Sequence, residues 1–452
     1  MLLRLRVRNF KNLRDVTVRF GPLTCFIGPN GVGKSNLFDA IHLLRALADR
    51  DIQAAAQEVR SPISGRFSPR DLLWAGGGEA DTISFSADML VPGHVVDDFG
   101  RKATPAATLL RYELDLRLVD DPAPRLELTR ESLVGLKKGE AGTQIGFPHS
   151  KAFRDSAVRA SRRIGAFIST RTDGGAVALS LHQDGGSRGQ PIPAGLSPRT
   201  VVGGTNAKEY PTVLAARREM ASWRALHLEP SVMRAPDPFG SPAEVDERGG
   251  HIAATLDRMQ RGEKRKGQVL AEAANRLAEL VPELRSLRLD RDEMRQQLSV
   301  MARIDGCAGE VGPRSLSDGT LRFLALVAML LDDGSGAVLC MEEPENGIHP
   351  DRIPALVSVL RDYAVDPKEA IDEGNPPRQV ILNTHSPDVV AQLKPDEILL
   401  VDAVDGPEGR AALVSGVEGG WRRELPIAKR RRIGDFVSGP AKGEAIQQLL
   451  FG

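Results

Sequence analysis

The feature that most constrains this 452-residue chain is the segment at residues 28–35, GPNGVGKS, which fits the pattern G-x-x-x-x-G-K-[ST]. Such a glycine-rich loop wraps a polyphosphate with backbone N–H groups, and the helix that follows points its positive end at the same anion. The apolar run 23–27 predicts a buried strand before the loop, and residues 34–48 carry one apolar helical face after it. The sequence therefore predicts a nucleotide phosphate site.

The side chains of this loop have separate predicted roles. Lys34 is expected to reach the β- and γ-phosphates, and Ser35 is expected to ligate Mg²⁺. The pattern alone arises by chance in on the order of a few per cent of glycine-rich chains, but the flanking strand and helix argue against chance. The other residues predicted to bind the nucleotide are Asn30, Gly31, Gly33 and Asn36.

A second candidate site lies at the end of the apolar run 337–341, where Glu342 and Glu343 follow directly. Two adjacent carboxylates at the end of a buried strand are costly without a cation or a reaction to serve. In one interpretation, Glu342 holds Mg²⁺, directly or through water, and Glu343 positions and polarises an attacking water. In the other, the pair belongs to a solvated acidic turn, and this segment alone does not decide between the two.

Two further motifs flank the acidic pair. Ser317 and Gly319 open a predicted helix over 320–332 and could bind an anion at its N-terminus, although Ser-Asp-Gly is also a common helix cap. The place of this motif, upstream of the acidic strand end, favours phosphate binding. His385 follows the predicted strand 379–383; a lone histidine is more often structural, so its position at a strand end is the argument for a site.

In this order, the motifs resemble those of ABC-type ATPases, in particular the RecF/SMC/OLD-like branch rather than transporters. The resemblance covers about residues 1–50 and 310–405, and the middle of the chain matches only loosely. It is carried by Asn9-Phe10-Lys11-Asn12-Leu13, Gly28-Pro29-Asn30-Gly31, the signature-like LSDGT at 316–320, Glu342-Glu343-Pro344-Glu345 with His349-Pro350, and Thr384-His385-Ser386-Pro387.

The resemblance implies a homodimer that closes around two ATP molecules with Mg²⁺. Ser317 and Gly319 of one subunit would complete the phosphate site of the other, and His385 would contact the γ-phosphate. Glu342 stands where transporters carry Asp, and no glutamine is clearly placed for a Q-loop. The residues after His385 are too few for the nuclease domain of OLD nucleases, so we expect any nuclease to be a separate effector protein.

The predicted fold class is α/β: a P-loop head of the ABC type with a mostly parallel core sheet, an N-terminal antiparallel β subdomain and a helical insertion. Alternating patterns predict strands at 82–90, 111–119 and 125–129, a loop is predicted near 184–198, and residues 207–300 are predicted to be helical. The predicted domains are 1–204 (N-terminal part of the head), 205–300 (mainly helical insertion), 301–420 (C-terminal part of the head) and 421–452 (basic tail).

Composition limits the classes of function. Lys plus Arg and Asp plus Glu both number 60, so the chain as a whole has no positive field for nucleic acid, and at 4% aromatic residues base-stacking platforms are disfavoured. Cys25 and Cys340 lie in apolar runs and are expected to be buried thiols in a reducing compartment. There is no signal-peptide pattern and no run of 18 apolar residues, so we expect a cytoplasmic protein without membrane contact.

Three functions stay open. The first is an ATPase switch in bacterial anti-phage defence or DNA repair, including a RecF-like clamp, that acts with a separate effector. The second is a scaffold that uses ATP only to assemble, against which the intact Glu343 and His385 argue. The third is a transporter motor, against which the opening hairpin and the long middle segment argue. The basic run 429–432 could contact double-stranded DNA, although a short charge run is usually a solvated surface.

Overall fold

The computed structural model describes residues 1–59, 67–74, 81–159, 165–173, 176–184, 188–195, 197–262, 267–332, 338–407, 409–422 and 424–426. The α-helices in these ranges are α1 (Lys34–Leu47), α2 (Ile52–Glu58), α3 (Ala141–Ile145), α4 (Lys151–Ala157), α5 (Val201–Gly204), α6 (Pro211–Ala221), α7 (Pro230–Met233), α8 (Ile252–Arg261), α9 (Val269–Ala278), α10 (Asp318–Leu331), α11 (Ile353–Tyr363) and α12 (Pro387–Ala391). Short 3₁₀ turns cover Pro69–Leu72, Lys138–Glu140, Pro313–Ser315, Pro350–Arg352 and Pro395–Glu397.

An eight-stranded antiparallel sheet is built from the N-terminal half of the chain. Its order is β11-β10-β9-β8-β7-β4-β1-β2, and every neighbouring pair is antiparallel. The strands are β1 (Leu2–Phe10), β2 (Leu13–Arg19), β4 (Thr82–Leu90), β7 (Leu109–Val119), β8 (Arg125–Gly135), β9 (Ile168–Asp173), β10 (Ala176–His182) and β11 (Arg188–Pro193). This confirms the predicted antiparallel β subdomain.

The core of the head is a six-stranded sheet of order β12-β17-β18-β3-β19-β20. Its strands are β3 (Leu23–Ile27), β12 (Trp223–Leu226), β17 (Val338–Glu342), β18 (Gln379–Thr384), β19 (Ile398–Gly406) and β20 (Gly409–Gly416). All pairs are parallel except β19 with β20. The carboxyl ends of β17, β18 and β3 therefore meet at one edge, where ligands bind in open parallel sheets.

Both faces of this sheet are covered, which explains the continuous apolar runs of its strands. Along β17, Val338 and Cys340 join the core shared with α1 and the eight-stranded sheet, whereas Leu339 and Met341 face a second core with α8, α9, α10 and α11. Helix α1 therefore lies between the two large sheets. Its first residues, Lys34 and Ser35, are also the last residues of the phosphate loop.

The prediction that residues 207–300 are helical is only partly correct. Helices α6 to α9 lie there, but residues 284–304 form a hairpin of β14 (Leu284–Asp292) and β15 (Gln297–Ile304), joined by β13 (Asp237–Pro238) and β16 (Glu310–Val311). In β15 the residues Leu298, Val300 and Ala302 are buried and alternate with more exposed neighbours, which is a period of two rather than 3.6. The same stretch also contains β12, which belongs to the core sheet and not to an insertion.

The remaining elements lie at the edges of the sheets. The predicted loop at 184–198 contains β11, the edge strand of the eight-stranded sheet, where Pro191 and Pro193 are tolerated because an edge strand needs fewer backbone donors. A small two-stranded ribbon joins β5 (Val95–Val96) to β6 (Lys102–Ala103). The basic run at 429–432 lies outside the described residues. No helix of the described ranges is long and apolar enough to span a membrane.

Candidate functional site

The phosphate loop connects β3 to α1, as predicted. Lys34 is buried, and its Nζ donates to the backbone oxygens of Gly28 (2.6 Å) and Pro29 (2.7 Å) at the start of the loop. Burial lowers the pKa of the Lys34 ammonium, while the carboxylates of Glu343 and Glu342 act to raise it. The ammonium therefore lies inside the curve of the loop, close to the acidic pair, where a phosphate would be held.

The rest of the loop is held by the turn between β1 and β2. Gly33 has a φ of 112°, in the region that favours glycine, and a Cβ there would lie 2.5 Å from Asn12 Oδ1. Asn12 Nδ2 donates to Val32 O (2.9 Å), and Asn36 Nδ2 donates to Asn12 Oδ1 (2.8 Å). Sequence reasoning used Asn12 only as part of a resemblance, so this supporting role was missed. The predicted residues Asn30 and Gly31 lie exposed at the loop tip.

The structure brings Ser35 and Glu342 together, as the predicted metal site requires. Ser35 Oγ donates to Glu342 Oε2 over 3.2 Å, from the start of α1 to the end of β17. No group of three or more His, Cys, Asp or Glu side chains that could hold a metal occurs in the described ranges. One hydroxyl and one carboxylate fit Mg²⁺ all the same, because this ion keeps several waters and is completed by nucleotide phosphates.

Glu343 and His385 meet at the ends of neighbouring strands. His385 Nδ1 lies 2.8 Å from Glu343 Oε1, and Asn346 Nδ2 donates to Glu343 Oε2 over 2.8 Å. Glu343 has a φ of 47°, which is uncommon for a residue with a side chain, and its N–H is directed at Asn383 O (3.0 Å) and Oδ1 (3.2 Å). Unusual backbone conformations of this kind concentrate at functional sites. The supporting amides of Asn346 and Asn383 were not named from the sequence.

The signature-like motif forms the start of α10. The exposed Ser317 caps the helix by accepting from Thr320 N (3.1 Å). Gly319 is buried, and a Cβ there would lie 2.7 Å from Gly347 O, so the motif packs on the turn that follows the acidic pair. Arg234 braces the same start by donating to Leu316 O (3.1 Å) and Asp318 Oδ1 (2.6 Å). The motif is thus a capped helix start with an exposed serine, held in place by Arg234.

A cavity of about 250 Å³ opens beside the acidic pair. Its lining includes Glu342, Glu343 and Asn346, together with His227, which follows the edge strand β12. Sequence reasoning named no residue from this strand end because the stretch was predicted to be helical. Arg322 of α10 also lines the cavity, which therefore extends from the acidic pair towards α10.

Two family models match the chain. The first is described as "AAA domain, putative AbiEii toxin, Type IV TA system" and matches residues 212–391, which contain the acidic pair, the α10 motif and His385. The second is described as "AAA ATPase domain" and matches residues 1–71, which contain the phosphate loop. The two matches lie on the same parts of the chain as the predicted motifs.

Curated relatives match over short segments. An OLD nuclease of Thermus scotoductus is 50% identical over 44 residues, which are 10% of this chain and 8% of the relative. DNA replication and repair protein RecF of Phocaeicola vulgatus is 47% identical over 45 residues, which are 10% of this chain and 12% of the relative. The matched segments thus span about a tenth of the length of these relatives.

Solved structures of SMC heads cover more of the chain at lower identity. The SMC head bound to the C-winged helix domain of ScpA has a TM-score of 0.47 and 15% identity, covering 92% of this chain and 98% of that chain. The SMC head domain of Thermotoga maritima has a TM-score of 0.40 and 13% identity, covering 91% of this chain and 98% of that chain.

The loop, the acidic pair and the covered parallel sheet define a nucleotide-binding head of the P-loop class. Together with the family models and the short matches to OLD nuclease and RecF, they support an ABC/AAA ATPase of the RecF/SMC/OLD type.

Proposed function

We propose that this protein binds ATP with Mg²⁺ and hydrolyses it, and that two copies close head to tail around two nucleotides. One observation carries the proposal. Lys34, the Ser35–Glu342 pair and the Glu343–His385 pair all lie at the carboxyl ends of the adjacent parallel strands β3, β17 and β18. Charge neutralisation, metal ligands and a base are thereby available within one site, as phosphoryl transfer requires.

The proposed work of each side chain follows from its surroundings. Lys34 and the N-terminus of α1 offset phosphate charge, and Ser35 and Glu342 hold Mg²⁺, which would neutralise charge on the phosphate oxygens. Glu343 orients and polarises the attacking water, with Asn346 fixing one carboxylate oxygen and His385 lying at the other. His385 is also proposed to contact the γ-phosphate.

The dimer is proposed because the capped start of α10 faces outward. An exposed helix N-terminus with a serine hydroxyl is a ready anion site, and in the RecF/SMC/OLD-like arrangement it serves the neighbour's nucleotide. Ser317 and Gly319 of one copy would then cover the γ-phosphate held by Lys34 of the other. For ATP to act as a switch it must favour the closed state by about 5.5 kcal/mol to move the population from 1:99 to 99:1.

We further propose that this switch works in the cytoplasm in anti-phage defence, passing its state to a separate effector such as a nuclease. The short matches support a role in nucleic-acid metabolism, since the relatives are named as a nuclease and as replication and repair proteins. A RecF-like repair function is the second candidate, favoured by the RecF matches. In both cases double-stranded DNA is the proposed stimulus.

Phosphate release by the purified chain tests the proposal. Wild type should hydrolyse ATP in the presence of Mg²⁺, and Lys34→Ala should bind ATP more weakly in a calorimetric titration, because it lacks the only charge contributed by the loop. Duplex DNA should raise the rate. Unchanged affinity of Lys34→Ala would contradict the phosphate site. Binding without turnover, with or without DNA, would instead indicate a scaffold that uses ATP only to assemble.

A further inference from the structure

The third glutamate of the EEPE segment is buried next to the strand that carries His385. Glu345 is 8% exposed, and its Oε1 accepts a hydrogen bond from the hydroxyl of Thr384, the last residue of β18. The oxygen of the same hydroxyl accepts the N–H of Ser386 over 2.9 Å. Glu345, Thr384 and Ser386 thus form a chain of hydrogen bonds that fixes the residues on both sides of His385.

A carboxyl group at this depth is costly to keep. Glu345 Oε2 is buried and has no hydrogen-bond partner in the described part of the chain, and burial raises the pKa of the carboxyl, while the Thr384 hydroxyl acts to lower it. A buried polar oxygen without a partner has lost its hydration and gained no hydrogen bond in return. A leucine or methionine would pack in such a place without this cost, so the hydrogen bond to Thr384 is the contribution that distinguishes the carboxyl from an apolar side chain.

The hydrogen bond between Glu345 and Thr384 lies next to the candidate site. Glu343 is already tied to β18 through Asn383, and Glu345, two residues on, is tied to it through Thr384. The turn after β17 is therefore joined at two points to the end of β18, directly before His385. This fixes the imidazole relative to the carboxylate, since a turn held at two points has little freedom to rotate.

We propose that Glu345 and Thr384 act as a positioning pair that holds His385 against Glu343. The proposal rests on the proposed hydrolysis, in which His385 and Glu343 take part. Neither Glu345 nor Thr384 is proposed to touch the nucleotide. Both act through the imidazole.

Matched substitutions separate the hydrogen bond from packing. Thr384→Val removes the hydroxyl at nearly constant shape, whereas Thr384→Ser keeps it; Glu345→Leu removes the acceptor, whereas Glu345→Gln keeps a carbonyl oxygen. We expect Thr384→Val and Glu345→Leu to lower kcat by on the order of 10- to 100-fold, as displaced reacting groups do, with KM for ATP unchanged. Thr384→Ser and Glu345→Gln should keep most of the wild-type kcat.

A double-mutant cycle tests whether the pair acts through His385. In a His385→Ala background, Thr384→Val should change kcat less than twofold, because there is no imidazole left to misplace. A further loss of tenfold in that background, or equal kcat for the Val and Ser variants in the wild-type background, would overturn the positioning role. Thermal unfolding of every variant checks that the fold is kept.

The position of the His385 ring can also be tested by NMR, which does not require ATP hydrolysis. This keeps the test of the positioning pair separate from the test of the proposed function. In protein labelled at its eight histidines, the His385 ring resonances can be assigned by their loss in His385→Gln. They should shift in Thr384→Val and stay near the wild-type position in Thr384→Ser, whereas resonances of the other histidines stay in place. Unshifted His385 resonances in Thr384→Val would overturn the positioning pair. A wild type that lacks ATPase activity would overturn the proposed function alone.

Discussion

Asn12 and Asn36 share a hydrogen bond of 2.8 Å that joins the turn between β1 and β2 to the first turn of α1. Because Asn12 also donates to Val32 O, one amide supports both sides of Gly33. We expect Asn12→Ala to weaken ATP binding about 5- to 10-fold, since a net hydrogen bond is worth about 1 kcal/mol. Calorimetric titration measures this, and Asn12→Ala and Asn36→Ala should be non-additive because they remove the same bond. Additive effects would show that the bond does not support the loop.

Gly33 and Gly31 form a natural pair of test and control. Both have positive φ, 112° and 77°, but a Cβ at Gly33 meets Asn12 whereas nothing lies within 4 Å of one at Gly31. Gly31→Ala should therefore cost about 1–2 kcal/mol of backbone strain in denaturant unfolding, and Gly33→Ala should cost clearly more and also displace Asn12. Equal losses for the two variants would contradict the contact between Gly33 and Asn12.

The buried Glu131 of β8 should give stability a distinct pH dependence. Its carboxylate accepts from Val201 N (2.6 Å), Val202 N (2.9 Å) and Tyr112 OH (3.1 Å), yet burial dominates and raises its pKa from 4.5 to about 7. A raised pKa means that the folded state holds the proton more tightly than the unfolded state. The stability from this group is therefore fully present below pH 4.5 and is lost as the pH rises towards 7.

Urea unfolding between pH 4.5 and 8 measures this effect. Relative to Glu131→Gln, which does not titrate, wild type should lose up to about 3 kcal/mol of unfolding free energy between pH 4.5 and 7, and little beyond. Glu113→Gln, on the neighbouring strand β7 and partly exposed, is the matched control and should keep the wild-type slope. A Glu131→Gln variant with that same slope would show that Glu131 does not titrate in this range.

Local patterns predicted much of the head. The continuous apolar run 23–27, the glycine pattern and the apolar face after it place β3, the loop and α1 correctly because each signal is contained in one segment. The hairpin at 284–304 was missed because its alternation follows a helical stretch, α9, and its first strand, β14, is rich in arginine. Contacts such as Asn12 with Asn36, or Glu345 with Thr384, depend on strand order, which no local pattern encodes.

The roles of residues within the site were only partly accessible from sequence. The sequence predicted a shared metal role for Ser35 and Glu342, and these two residues are in contact. It predicted separate roles for Glu343 and His385, and their direct contact was not foreseen. The left-handed backbone of Glu343 could not be foreseen, since glutamate does not favour it and the bonds of its N–H go to Asn383 on another strand. The assignment of Ser317 to a neighbour's nucleotide stays a prediction.

Complementation between inactive variants tests that assignment. Ser317→Arg puts a long charged side chain at the exposed start of α10; it should still bind ATP through its own loop but hydrolyse it poorly. Lys34→Ala should also be poorly active. In a mixture, one site of each mixed dimer combines an intact Lys34 with an intact Ser317, so turnover should return. Wild-type turnover of Ser317→Arg alone, or a mixture no more active than its components, would remove Ser317 from the site.

The most direct test of the head-to-tail dimer is the mass of Glu343→Gln in solution, measured by light scattering with and without ATP and Mg²⁺. The substitution keeps the shape of the side chain but removes the proposed base, so ATP should stay bound and hold two copies together. We predict that Glu343→Gln has the mass of one chain without ATP and of two chains with ATP. The double variant with Glu343→Gln and Ser317→Arg should have the mass of one chain in both conditions. A Glu343→Gln protein that stays monomeric with saturating ATP would contradict the account.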